Sequence, residues 1–229
     1  MTWVKICGMT NLADALVAVE AGADAVGFVF YEKSPRCVSV ETAREIVGKL
    51  PATVEKVGVL AGESVARADE IVSGVGLDAL QVYPFSYAKS GGAYDNLGAN
   101  SRLGKKKLYF ALPIARYMSE GHQVTVDVKD PESRFAALLL DSGGGQQPGG
   151  TGVAFDWKKA VPLVARLSRT VSVVIAGGLT PENVGEAIGI LQPWGVDVAS
   201  GVEASPGKKD AEKVRAFVRA VREMDRKVS

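Results

Sequence analysis

Eight short runs rich in β-branched and other apolar residues recur along the chain: TWVKI, DAVGFVF, VEKVGVL, LDALQVY, KLYFALPI, FAALLLD, VSVVIAG and VDVAS. Amphipathic stretches lie between them, among them Asn11 to Ala21, Val40 to Leu50, Ser64 to Ser73, Pro181 to Leu191 and Asp210 to Met224. A helix between two strands carries the chain back to the edge where the first strand began, so the strands come out parallel. The runs are close to continuous in apolar residues, as strands covered by helices on their outer face require. Eight such units in 229 residues predict an α/β fold, a single (β/α)8 TIM barrel over residues 1–229. The helix starts agree: Asn11 is placed to cap the first helix, and Thr180 followed by Pro181 predicts a cap and a first-turn proline later on.

Composition removes several function classes. A formal net charge of +1, with 47% hydrophobic and 23% charged residues, gives no electrostatic reason to expect nucleic acid or a membrane surface as partner. Cys7, Cys37 and the single histidine, His122, lack the spacing of a metal site, so a cysteine and histidine metal site is not expected. Two cysteines without a metal-site spacing, no apolar run of bilayer length and no signal-peptide pattern predict a reduced, cytoplasmic protein. His122 falls in a polar stretch and reads as solvated.

Two regions break the alternation. Ser86 to Lys107 is polar and glycine-rich and reads as a fourth helix joined to a surface loop, with Lys105 to Lys107 a solvated edge. Ser142 to Thr151, SGGGQQPGGT, follows the sixth strand and reads either as an active-site lid or as a plain connection.

In such a barrel the reacting groups sit at the carboxyl ends of the strands. Cys7 ends the first strand and Asp141 the sixth. Strand alternation puts Lys5 on the same face as Cys7, with Val4 and Ile6 on the other. A thiol beside a cation is biased towards thiolate, and a half-buried carboxyl without a cation is biased towards keeping its proton. The expectation is therefore an opposed base and acid, as an isomerase needs. A buried inert cysteine and a helix-capping aspartate are the competing readings.

VVIAGGLTPENV and VDVASGVEASPG each run from a strand through glycines towards a helix, at Gly177 and Gly178 and at Ser200 and Gly201. Backbone N–H groups in such loops approach an anion closely, and the loops after strands seven and eight are where barrels of this kind bind phosphate. A small phosphorylated molecule is the expected partner. Arg36, in KSPRCV, is suited either to a bidentate grip on a carboxylate or to a surface ion pair. Cys37 beside it reads as packing.

Taken in order over nearly the whole chain, VKICGMTN, ADAVGFVF with SPRCVS, LLLDS, GGTGVAFDW, IAGGLTPENV and GVDVASGVEASPGKKD resemble the phosphoribosylanthranilate isomerases of tryptophan biosynthesis. The resemblance implies an Amadori rearrangement with no metal or organic cofactor. Asp141 would protonate the ribose ring oxygen and Cys7 would remove the proton from the sugar C2. Arg36 would face the anthranilate carboxylate, with Lys5 and Gln81 as further substrate-binding candidates. Gly177, Gly178, Ser200 and Gly201 would hold the phosphate, in a monomer or homodimer. The chain departs from the family where QVYP stands in place of QLHG, at Tyr83 and Pro84, and at Phe110, where the family often has lysine; both departures bear on the walls of the barrel mouth. An isomerase of another phosphoribosyl amine and a non-catalytic phosphosugar-binding barrel remain as alternatives.

Overall fold

The computed structural model describes residues 1–61, 64–83, 106–118, 135–143 and 154–228. Eight parallel strands, β1 (Trp3–Cys7), β2 (Ala25–Val29), β3 (Glu55–Leu60), β4 (Ala79–Val82), β5 (Lys107–Pro113), β6 (Phe135–Asp141), β7 (Val173–Ala176) and β8 (Gly195–Val198), close into a barrel in chain order. The seam is the β1–β8 pairing, which sets Lys5 beside Asp197. Each expected apolar run overlaps one of these strands, with β1 reaching one residue beyond its run and β8 starting one residue before.

The helices are α1 (Leu12–Glu20), α2 (Val40–Val47), α3 (Val65–Val75), α4 (Ala115–Met118), α5 (Trp157–Leu167), α6 (Val184–Leu191) and α7 (Ala211–Val228). Capping explains several starts: the side chains of Asn11, Ser39, Ser64 and Asp156 accept from the backbone N–H groups of Asp14, Thr42, Arg67 and Lys159. Each such cap is worth about 1 kcal/mol.

One expected start is displaced. Residues 181–183 form a turn and α6 begins at Val184, so Thr180 is not its cap nor Pro181 its first residue. The Asn183 amide explains the delay, since its oxygen accepts from the Thr180 N–H and its nitrogen donates to the Gly178 carbonyl, closing a loop before the helix can begin. In the polar region, the Lys106 ammonium donates to the Leu77 carbonyl, and Lys107 belongs to β5 and pairs with Glu55 at 2.9 Å, while Ser86 to Lys105 lies outside the described residues, as does His122.

Alternation along the strands sorts side chains into two layers. Val4, Ile6, Val26, Phe28, Leu80, Leu138, Leu140 and Ile175 pack outward against the helices, and Ala25, Val57, Val59, Ala79, Ala111, Ala137 and Leu139 fill the barrel. Burying a large side chain in the outer layer stabilises by about 1.5–3 kcal/mol. Phe110 belongs to that outer layer, stacked on Phe135 with ring centroids 5.4 Å apart. It therefore does not form a wall of the mouth, contrary to the expectation drawn from its position; its neighbours Tyr109 and Ala111 are the residues that face inward. At the amino-terminal end, Trp3 stacks on Tyr109 and on Trp194, closing the floor. No helix among the described residues is long and apolar enough to cross a membrane.

Candidate active site

With the floor closed by aromatic rings, the barrel opens at its carboxyl end into a cavity of about 480 Å³. That volume lies within the range of small-molecule sites. Of the residues singled out in the sequence, Cys7, Arg36, Gln81, Asp141, Gly177, Gly178 and Ser200 line it together, although they come from six different strand–loop units. Lys5 and Gly201 stand behind the wall. Tyr83, flagged as a departure from the family pattern, and Asp197, which was not singled out, also line the cavity; the polar residue inside the apolar run VDVAS is the signal that could have found Asp197.

Lys5 is 1% exposed and donates to Gln81 Oε1 at 2.9 Å and to Asp197 Oδ1 at 2.8 Å. A lysine in the middle of a barrel survives only when paired, because an isolated buried charge is prohibitively costly. Burial works against its charge, but Asp197 and Cys7 more than offset this and hold the Lys5 ammonium above its ordinary pKa. Lys5 therefore remains a fixed cation beneath the cavity.

Cys7 is 6% exposed and lies in the field of that cation. Its tuning differs from the expectation. Burial pushes the thiol up, Lys5 pulls it down without prevailing, and Asp197 adds to the rise. The reason is closure of the barrel, which removes water and brings Asp197 alongside Lys5. Room for the sulfur comes from Gly27, paired with Cys7 in the β1–β2 register. A Cβ on Gly27 would lie 2.7 Å from Cys7 Sγ and 3.1 Å from Lys5 Cε.

Asp141 ends β6 facing the same cavity. Burial raises its pKa, and the Gly143 N–H, 2.8 Å from Oδ1, works against the rise. The Tyr83 hydroxyl donates to Asp141 Oδ2 across 3.4 Å, the outer edge of hydrogen bonding. The carboxyl thus keeps its proton to higher pH than a free aspartate does, the direction expected. Of the Ser142 to Thr151 segment only Ser142 and Gly143 lie within the described residues.

Arg36 is held on one side already. Its Nε and Nη2 donate to Glu203 Oε1 and Oε2 at 2.8 and 2.7 Å, and Lys209 Nζ reaches the same carboxylate at 2.9 Å. Bonds to Glu203 raise the guanidinium pKa. Neither Glu203 nor Lys209 was singled out in the sequence; they sit in a short charged hairpin, β9 (Glu203–Ser205) and β10 (Lys208–Lys209). Both are in fact buried.

At the rim, Gly177 and Gly178 have φ of +82° and +67°, a left-handed pair that glycine adopts without strain. The loop carrying Ser200 and Gly201 makes a single 3₁₀ turn, Ser200–Val202. The two loops pack edge to edge because Gly201 lacks a side chain where the Leu179 carbonyl approaches. Among the described residues no group of three His, Cys, Asp or Glu side chains converges as metal ligands would.

Residues 4–220 match the family described as N-(5'phosphoribosyl)anthranilate (PRA) isomerase. A relative from Pseudomonas paraeruginosa, named N-(5'-phosphoribosyl)anthranilate isomerase, is 44% identical over 97% of this chain and 96% of its own length. The crystal structure of phosphoribosyl anthranilate isomerase from Thermotoga maritima superposes with a TM-score of 0.75 at 36% identity, covering 97% of this chain and all of that one. A structure of such an isomerase in complex with reduced 1-(o-carboxyphenylamino)-1-deoxyribulose 5-phosphate aligns with a TM-score of 0.72 at 35% identity, over 97% of this chain and 100% of that one.

Proposed function

The chain belongs to the N-(5'-phosphoribosyl)anthranilate isomerase family, and from that premise we propose that Cys7 and Asp141 are the base and acid of its reaction. The enzyme converts N-(5'-phosphoribosyl)anthranilate to 1-(2-carboxyphenylamino)-1-deoxyribulose 5-phosphate in tryptophan biosynthesis. Asp141 gives its proton to the ring oxygen as the C1–O bond breaks, and the nitrogen lone pair forms the C=N bond of a protonated imine. Cys7 thiolate takes the C2 proton, and the C–H electrons flow to that nitrogen, giving the enolamine. The enol proton leaves O2 and one arrives at C1, yielding the ketone. Resetting the site then returns one proton to Asp141 and removes one from Cys7. General acid and base assistance of this kind contributes about 10²–10⁴-fold.

Arg36 faces the substrate carboxylate, Gln81 borders the sugar, and Gly177, Gly178 and Ser200 seat the phosphate, with Gly201 shaping that seat from behind. Lys5 supports Cys7 and Gln81 from below. Residues 1–229 act as one domain, cytoplasmic, as a monomer or homodimer, without a metal or organic cofactor. The observation that carries this reading is that Cys7 and Asp141, from β1 and β6, line one cavity with the two glycine-bearing loops. The test is turnover by the purified chain of freshly made substrate alongside other phosphoribosyl amines. Preference for the anthranilate supports the reading, and turnover of another amine alone would replace it.

A further inference from the structure

We infer that Glu203 and Lys209 set the position and net charge of Arg36, making Glu203 a positioning residue for recognition of the substrate carboxylate. The inference rests on the assignment of Arg36 to that carboxylate.

Three features of the structure support it. Glu203 takes the Nε–Nη2 edge of the guanidinium in a two-bond grip. Five N–H donors in a planar fork leave the Nη1 end free of that grip and aimed by it. The arginine stem rests on Gly8, where a Cβ would come within 2.7 Å of Arg36 Cδ, so the stem is fixed as well as the head. A lone Arg–Glu pair would be neutral and would attract an anion weakly. Lys209, 5% exposed, adds a second cation to the same carboxylate, so two positive groups and one negative leave one net positive charge beside the cavity. Glu203 also accepts from the Gly207 N–H, and the Thr10 hydroxyl donates to the Gly207 carbonyl, which ties the β9–β10 hairpin to the loop after β1.

Positioning and simple charge make opposite predictions. Glu203→Gln raises the local charge, so a purely electrostatic role would tighten carboxylate binding, whereas a positioning role would loosen it. The experiment compares two competitive inhibitors, the reduced carboxyphenylamino deoxyribulose phosphate and its phenylamino counterpart without the carboxylate. In the parent chain the carboxylate should improve Ki by about tenfold or more, as a charge-assisted bidentate contact does. In Glu203→Gln that ratio should fall about tenfold, with Ki of the phenylamino compound within about twofold of the parent. Lys209→Met, which makes the cluster neutral, should lower the same ratio through charge; Glu203→Asp, which keeps the charge and shortens the reach to Arg36 by one methylene, should also lower it and provides the reading if Glu203→Gln does not fold, since charge alone would leave it unchanged. A ratio near one in the parent chain would remove the assignment of Arg36 itself. A normal parent ratio that is unchanged or larger in Glu203→Gln, or equal weakening of both inhibitors, would overturn the role of Glu203 alone.

Discussion

Lys5 Nζ lies 2.8 Å from Asp197 Oδ1, across the β1–β8 seam that closes the barrel. Removing the lysine alone strands a buried carboxylate, so Lys5→Met should lower unfolding free energy by about 3–5 kcal/mol, read by urea titration at neutral pH. The sign with pH follows from the raised pKa of Lys5: the contribution is complete below the unfolded value and is lost as pH rises through the higher folded one. The deficit of the variant should therefore be full at neutral pH and shrink in alkali.

The pH profile of kcat/KM should be bell-shaped with its limbs assigned in an unusual sense. Reaction needs Cys7 as thiolate and Asp141 as acid, yet burial pushes both groups up and the thiol starts from the higher value. Between the two pKa values most molecules then carry thiol and carboxylate, and the reactive pair is a constant minor fraction. The acid limb reports Asp141 and the alkaline limb Cys7. Because Lys5 lowers the Cys7 pKa, Lys5→Met should move the alkaline limb upward and reduce the plateau, about tenfold for each unit by which the gap widens. An alkaline limb that stays in place would contradict the assignment.

Gly27→Ala tests how closely the thiol must be held. The added methyl would press on Cys7 Sγ and Lys5 Cε. Overpacking of this kind costs about 1–3 kcal/mol, and a displacement near 1 Å at the reacting group costs about 10²-fold in rate. Turnover should therefore fall far more than thermal stability does.

Tyr83 and Phe110 should separate cleanly. Tyr83→Phe removes a donor that lowers the Asp141 pKa, so the acid limb should shift upward with little loss of stability. Phe110→Ala should leave KM unchanged and cost about 1–3 kcal/mol of stability, because its partly buried ring packs on the outer layer and stacks on Phe135. A KM effect at Phe110 would contradict its outward orientation.

The strands were legible because a parallel strand covered by helices must be apolar along its length, and the cap at Asn11 because the side chain and its N–H partner lie three residues apart. The pairing of Arg36 with Glu203 spans 167 residues and arises only when the β9–β10 hairpin folds back across the loop after β2. No local pattern marks it, and two buried charges in a short hairpin look like solvated ones until the fold is closed. The tuning of Cys7 differs from expectation for the same reason: Lys5 is two residues away in the chain, but Asp197 comes from 192 residues beyond Lys5 and the loss of water from closure of the barrel. The outward direction of Phe110 was readable from the alternation with Tyr109 and Ala111, a local signal that outweighs resemblance in position.

The central claim is that a thiolate at Cys7 and a proton at Asp141 perform the isomerisation, and single-turnover assays of Cys7→Ser and Asp141→Asn with freshly prepared N-(5'-phosphoribosyl)anthranilate test it most directly. Each variant should keep the parent circular dichroism spectrum and lose about 10²–10⁴-fold in rate. A correctly folded variant that turns over at near the parent rate would contradict the account for that residue.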